Sequence, residues 1–218
     1  NLTTYLAKKL NFTGKLEYVK HHNSHLAFSY YTSPFNDAVG ISIDGVGEWE
    51  TALAVKCKDN TFEEINSMKF PNSLGLVYST ITAYLGFKPN NGEYKVMGLA
   101  PYGETNRYHS IFDKIAHIGD DIDIIKINQK YFTYKTSETD MFNQKLIDLI
   151  GFPPRFKDEP IEQHHKDLAA SLQRLGVSSS ALLDPLKAID LAQNDPEALL
   201  KEIVNVSKEF TKLKADGS

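Results

Sequence analysis

Two histidines four residues apart, His21 and His25, are the first side chains whose types and spacing suit chemistry. On a helix that spacing puts both imidazoles on one face, about one turn apart, as a divalent metal requires. The protease version of this pattern has a glutamate directly after the first histidine to serve as general base. Here that position is His22, which argues against a metalloprotease and adds His22 as a possible site residue. A surface helix that happens to be rich in histidine has the same appearance. Asp44 adds weight, because it stands where an apolar strand-like run (Ala38 to Ile43) gives way to Gly45-Val46-Gly47. A carboxylate there can bind a hard or borderline cation, and glycines let a phosphate approach backbone N–H groups. Asp-Gly is also the favoured turn of a plain hairpin, so both readings stand for this segment alone.

Glu93 and Lys95 supply a carboxylate and an ammonium beside a glycine, Gly92, within a stretch dense in Gly, Pro and Asn. Such pairs are commonly solvated, yet a long loop with apolar anchors (Val96, Met97, Leu99) is more often functional than idle. His164 and His165 are adjacent, so on a helix their side chains diverge by about 100°. That pair reads as structural.

Elements must position these groups. An opening helix-like pattern (Leu2, Tyr5, Leu6, Leu10) is followed by a short strand from Lys15 to Lys20. Helical texture runs from Asn23 to Tyr31 and stops at Ser33-Pro34. Strands are expected at Ala38–Ile43, Thr51–Lys56 and Phe62–Met68, with turns at Asp44–Gly47 and Asp59-Asn60. Ser73 is the expected N-cap of a helix over Leu74–Leu85, which Gly86 closes. Lys88 to Gly103 reads as loop. Helices are expected at Tyr108–Ile118, Asn143–Ile150 and Pro160–Arg174, and short strands near Ile122–Ile127 and Tyr131–Tyr134. Leu175 to Ser180 is linker-like, and two amphipathic helices follow, near Ala181–Gln193 and Pro196–Lys214. A helix followed by a strand meander points to α/β or α+β and not to a helical bundle.

Composition limits the function classes. A net charge of −4 over 218 residues gives no basic footprint for nucleic acid. The single cysteine, Cys57, excludes an internal disulfide and a cysteine-based zinc site. No apolar run is long enough to cross a bilayer and the polar N-terminus is no signal peptide, so a cytoplasmic location is expected. A start at Asn1, directly in a helical pattern, is expected of a fragment that begins inside a domain.

Five blocks together are more specific than any one. His21-His22-x-Ser24-His25-x-Ala27, Ser33-Pro34-Phe35 and Ile43-Asp44-Gly45-x-Gly47-Glu48-Trp49 resemble the nodulation-type O-carbamoyltransferase family, which includes the tobramycin carbamoyltransferase. So do Phe70-Pro71-x-Ser73-Leu74-Gly75-Leu76-x-Tyr78 and the run from Gly92 to Gly103, and the helix containing His164-His165-x-Asp167-Leu168-Ala169-Ala170-Ser171 also looks familial. The resemblance implies an actin-like ATPase (ribonuclease H-like) fold with a mixed sheet and flanking helices, related to the universal tRNA threonylcarbamoyl-transfer protein. Residues 1–174 would be part of that domain, and residues 175–218 a helical tail. The resemblance further implies that His21, His25 and Asp44 ligate a metal, iron in the best-understood relatives. Gly45, Gly47, Glu48, Glu93 and Lys95 would serve the nucleotide or substrate. The implied reaction moves a carbamoyl group from carbamoyl phosphate, via a carbamoyl-adenylate made with ATP, to a hydroxyl of a small-molecule acceptor.

The departures are also informative. The family carries a first phosphate loop before this region, then a further glycine-rich loop with another aspartate ligand and a second domain after it. None of these is found here, so the isolated chain is expected to be inactive. A non-catalytic metal- or nucleotide-binding protein derived from the fold is the alternative from another class. Threonylcarbamoyl transfer to tRNA is disfavoured by the motif blocks and by the lack of a basic face.

Overall fold

The computed structural model describes residues 2–118, 125–137 and 140–180. Helix α1 (Leu2–Leu10) leads through an irregular segment to α2 (His21–Tyr31). The strand expected at Lys15–Lys20 is absent. Its Tyr18 and Val19 are exposed and, among the described residues, no strand pairs with it, so the alternation there forms no ladder. Helix α2 begins two residues earlier than its sequence pattern indicated, which places His21 and His25 on the same helix.

Strands β1 (Asp37–Gly47), β2 (Glu50–Lys58) and β3 (Thr61–Lys69) form a three-stranded sheet in that order. Both pairings are antiparallel, as two-residue connections dictate, since a parallel pair needs a long crossover. Asp59 and Asn60 adopt φ of 48° and 61°, the left-handed pair of a tight hairpin turn. A second, two-stranded sheet joins β4 (Ala116–Ile118) to β5 (Ile125–Ile127), again antiparallel. Every pairing among the described residues is therefore antiparallel, where a mixed sheet was expected. Among the described residues the chain is mixed α and β with two small sheets.

The turn expected at Asp44–Gly47 is also corrected. β1 runs on through Gly47, and the reversal falls at Glu48 and Trp49, with Glu48 at φ 64°. Between the pairs Ile43–Ala52 and Gly47–Glu50, three residues of β1 lie opposite the single Thr51. Asp44 thus sits on a bulge. A bulge unpairs the backbone locally and re-aims the side chains it carries.

The sheet lies between two cores. Leu53, Val55 and Cys57, alternate residues of β2, pack with Leu26 and Tyr30 of α2. The opposite face, through Ala52 and Met68, joins a larger core built on α3 (Leu74–Tyr84), where Val77, Ile81 and Tyr84 have no exposure. Ser73 caps α3 as expected, its Oγ accepting from the Leu76 N–H at 3.0 Å. Helices α4 (Glu93–Leu99), α5 (His109–Ile115), α6 (Gln144–Ile150) and α7 (Gln163–Ser180) complete that core through Val96, Phe112, Leu146 and Leu168.

Several expected boundaries move. The segment read as loop from Lys88 to Gly103 contains α4 and a 3-10 turn at Ala100–Tyr102. The helix expected over Tyr108–Ile118 ends at Ile115, because Ala116–Ile118 is taken by β4. The strand expected at Tyr131–Tyr134 is a 3-10 turn (Gln129–Tyr131) followed by a single bridge between Phe132 and Phe142. Helix α7 continues unbroken through the linker-like residues 175–180, so the texture change read there is not a helix break. The helices expected beyond Ser180 lie outside the described residues.

Candidate metal centre

His21 and His25 occupy successive turns of α2, with ring centroids 4.6 Å apart and planes at 78°. The bulge in β1 carries Asp44 toward them. His21 Nε2 stands 2.5 Å from Asp44 Oδ2 and 3.1 Å from His25 Nε2, and His25 Nε2 is 3.7 Å from the same carboxylate oxygen. His21 and Asp44 are half-buried, while His25 is exposed. A depression of about 370 Å³ opens beside them, lined by His25, Ser29, Ile41, Ser42, Ile43 and Asp44.

Two glycines make the approach of these elements possible. A β-carbon on Gly47 would stand 2.3 Å from His21 Cδ2, so only glycine lets the imidazole pass the strand. One on Gly75 would stand 2.5 Å from the Asp44 carbonyl oxygen, so α3 reaches the bulge only because that residue has no side chain. Ser73 then fastens the bulge from α3, its Oγ donating to Gly45 O at 2.7 Å. The Gly45 N–H in turn donates to Asp44 Oδ1 at 2.6 Å, fixing the carboxylate so that Oδ2 faces the histidines.

Electrostatics follow from these contacts. Burial pushes the Asp44 carboxyl up, but the hydrogen bonds from His21 and the Gly45 N–H, with the charges of His21 and His25, outweigh it. The net effect holds Asp44 below its usual range, ionised and acceptor-only. The three donor atoms face one another across 2.5, 3.1 and 3.7 Å. If His21 Nε2 carries the hydrogen it gives to Asp44, it has no lone pair for an N–H on His25. A cation would satisfy all three at once. Ligand atoms about 2.1 Å from a four-coordinate ion stand roughly 3.4 Å apart, and the observed separations bracket that value. Two imidazole nitrogens and one carboxylate oxygen form a donor set suited to zinc or ferrous iron. Three protein ligands would also leave positions open on such an ion.

The other sequence candidates fall in different places. His22 is fully buried and both of its ring nitrogens are engaged, Nδ1 with Ser42 Oγ at 2.7 Å and Nε2 with Glu50 O at 3.0 Å. Gly45 leaves open backbone, with nothing within 4 Å of where a β-carbon would stand. Glu48 is exposed on the hairpin turn. Glu93 accepts from the Asn90 and Gly92 N–H groups at 2.8 and 3.0 Å and from Ser79 Oγ at 2.8 Å. Its carboxylate is spent on starting α4 and tying it to α3. Lys95 is exposed, its ammonium 5.8 Å from the centre of the Phe87 ring. Neither joins the cluster of His21, His25 and Asp44. His165 is buried against Phe152 and His164, consistent with a structural pair. The roles of Ser42, Ser73 and Gly75 around the cluster were not read from sequence. Only the Ser73 cap had a local signal.

The comparisons with known proteins bear on the same region. Residues 2–179 match the model of the carbamoyltransferase N-terminus family. An uncharacterised protein of Synechocystis is 44% identical over 154 residues, 71% of this chain and 25% of that protein. Nodulation protein NolNO of Sinorhizobium fredii is 32% identical over 159 residues, 73% of this chain and 21% of its own length. Nodulation protein NolO of Bradyrhizobium diazoefficiens is 32% identical over 155 residues, 71% of this chain and 26% of its own length. The chain thus spans about a quarter of the length of these relatives. The matched span contains α2, the β1 bulge and the whole cluster they form, and by that match the chain belongs to the carbamoyltransferase N-terminus family.

Proposed function

We propose that this chain carries the metal-binding part of an O-carbamoyltransferase site in an actin-like fold. The parent reaction takes the carbamoyl group of carbamoyl phosphate, through a carbamoyl-adenylate formed with ATP, to a hydroxyl of a small-molecule acceptor. The convergence of His21, His25 and Asp44 carries this reading, together with membership of the family. The order of elements is in keeping with it: an antiparallel meander followed by a helix laid against the first strand.

A divalent ion, iron in this reading, would supply Lewis-acid stabilisation of phosphate charge when bound. The residues have distinct tasks. His21 and His25 offer neutral Nε2 lone pairs, and Asp44 offers Oδ2. Gly45 leaves room for a phosphate to lie against the backbone. Helix α3 brings its positive end against the bulge, which favours anionic groups there.

The test is metal binding by the 218-residue chain. One divalent ion per chain is expected, measured with Fe2+ under anaerobic conditions and with Zn2+ by calorimetry. Alanine at His21, His25 or Asp44 is expected to weaken binding by more than the ~10–100-fold typical of an outer-shell partner. Stoichiometric binding that survives all three substitutions would remove the site from consideration.

A further inference from the structure

His22 stands between two residues of the candidate centre's helix and strand without joining them. It has no exposure, and it lies at the mouth of the β1–β2 hairpin. Its Nε2 faces the carbonyl of Glu50, which can only accept, so that nitrogen carries the hydrogen and donates. In the neutral ring Nδ1 then holds a lone pair, and it accepts from the Ser42 hydroxyl. Ser42 lies on β1 two residues before Asp44, and Glu50 is the first residue of β2, just past the turn. The two contacts therefore grip the hairpin on either side of the bulge that carries Asp44. The same imidazole meets His21 edge-on at 5.3 Å between centroids, and a β-carbon on Gly47 would come within 3.0 Å of its Nε2.

We infer that His22 is a positioning residue. Its two ring-nitrogen contacts lock the first turn of α2 to both strands of the hairpin and so set the separation between His21, His25 and Asp44. The inference rests on the metal reading above. A buried residue with apolar packing alone would fill the same space, but it would leave the Glu50 carbonyl and the Ser42 hydroxyl without these partners. The hairpin could then shift against α2 along the direction that opens the ligand set. Glutamine is the informative replacement, because its amide combines N–H donors with a carbonyl acceptor and so can meet both the Glu50 carbonyl and the Ser42 hydroxyl.

The experiment uses the 218-residue chain and Co2+ as the probe, read by ligand-field absorption and by competition for affinity, with thermal melting recorded for each metal-free variant. His22→Leu is expected to lower Co2+ affinity by ~10–100-fold and to change the absorption envelope. His22→Gln is expected to recover affinity to within several-fold and to restore the envelope, whatever its melting temperature. Ser42→Ala, which deletes a single hydroxyl and serves if His22→Leu does not fold, is expected to lower affinity several-fold. An unchanged spectrum and affinity in the folded His22→Leu or Ser42→Ala variant would overturn the positioning role alone. So would a His22→Gln variant that binds no better than His22→Leu. A wild-type chain that does not bind Co2+ would overturn the metal reading and this inference together.

Discussion

At the scale of single residues the centre depends on what is missing from Gly47 as much as on what His21 and Asp44 supply. A methyl at position 47 has to displace the His21 ring, because the contact is with ring carbons and not with a flexible tip. Gly47→Ala is therefore expected to cost about 1–3 kcal/mol in stability and to weaken metal binding as His21 moves. Gly45→Ala is the control, because nothing lies within 4 Å of its β-carbon position. Its stability is expected to stay within ~0.5 kcal/mol of wild type. Chemical denaturation of the two variants beside the parent chain checks this. His21, His25 and Asp44 were legible in the sequence because helical spacing and a strand-end carboxylate are local signals. The state of Asp44 was not. Asp-Gly serves a turn and a bulge equally well, and the register that separates the two is set by β2. His22 was read only through its place in the motif, because its partners, Ser42 and the Glu50 carbonyl, lie 20 and 28 residues away.

Among the elements, α3 links the centre to the rest of the core. Its N-terminus fastens the β1 bulge through Ser73, and its C-terminus is held by the buried guanidinium of Arg155, whose Nε donates to Leu85 O at 2.7 Å. Ser73→Ala removes the cap and the bond to Gly45 together, and is expected to cost about 1–2 kcal/mol, measurable as a lowered melting temperature. Helix α4 depends on Glu93 in the same way. Burial pushes that carboxyl up, but hydrogen bonds from Asn90, its own backbone, Ser79 and Gly92 outweigh it and leave it below its ordinary value. A carboxylate lowered on folding contributes stability that is complete above its unfolded value, about 4.3, and lost as pH falls through the folded one. The melting temperatures of wild type and Glu93→Gln are thus expected to differ near neutrality and to converge in that acidic window. The sequence showed α2, α3, α6 and α7 because helical spacing, and for α3 the Ser73 cap, are local signals. It did not show α4, since Gly92 and Gly98 and the nearby prolines read as loop, while the feature that starts the helix is a carboxylate folding back on its own backbone.

Considered as a whole, the molecule joins a small core under α2 to a larger one around α3, and a titratable group inside the larger unit gives it a measurable pH response. Burial pushes the His165 imidazole down to about 4, with His164 and Arg155 adding to the effect and Glu162 and Glu159 opposing it. Its Nδ1 accepts from the Glu162 N–H at 2.9 Å, which requires the neutral ring. A histidine lowered on folding leaves stability complete above its unfolded value near 6.5. That stability is lost as pH falls from there toward the folded value, because the unfolded chain binds the proton more readily. The expected loss is on the order of 1–3 kcal/mol, and His165→Gln, which does not titrate, is expected to flatten this part of the stability profile. The window lies above the one set by Glu93, so the two variants separate the contributions. That the chain mixes α and β was legible at this scale from the meander and its flanking helices. The antiparallel pairing of β1, β2 and β3 followed from their short connections, which were visible in sequence, while the implied mixed sheet came from the resemblance.

The bond between His21 and Asp44 spans only 23 positions, and the two hairpin contacts of His22 span 20 and 28. Closing so short a loop costs little chain entropy, and low contact order speeds formation. The candidate centre can therefore assemble on the nascent polypeptide before α6 and α7 have been synthesised, and an ion could take part in folding instead of being inserted into a finished pocket. Pulse-labelled hydrogen exchange during refolding provides the measure. Amides of β1, β2 and the first turn of α2 are expected to gain protection before those of α6 and α7, and earlier still with Zn2+ in the buffer. Simultaneous protection across the chain would refute this order.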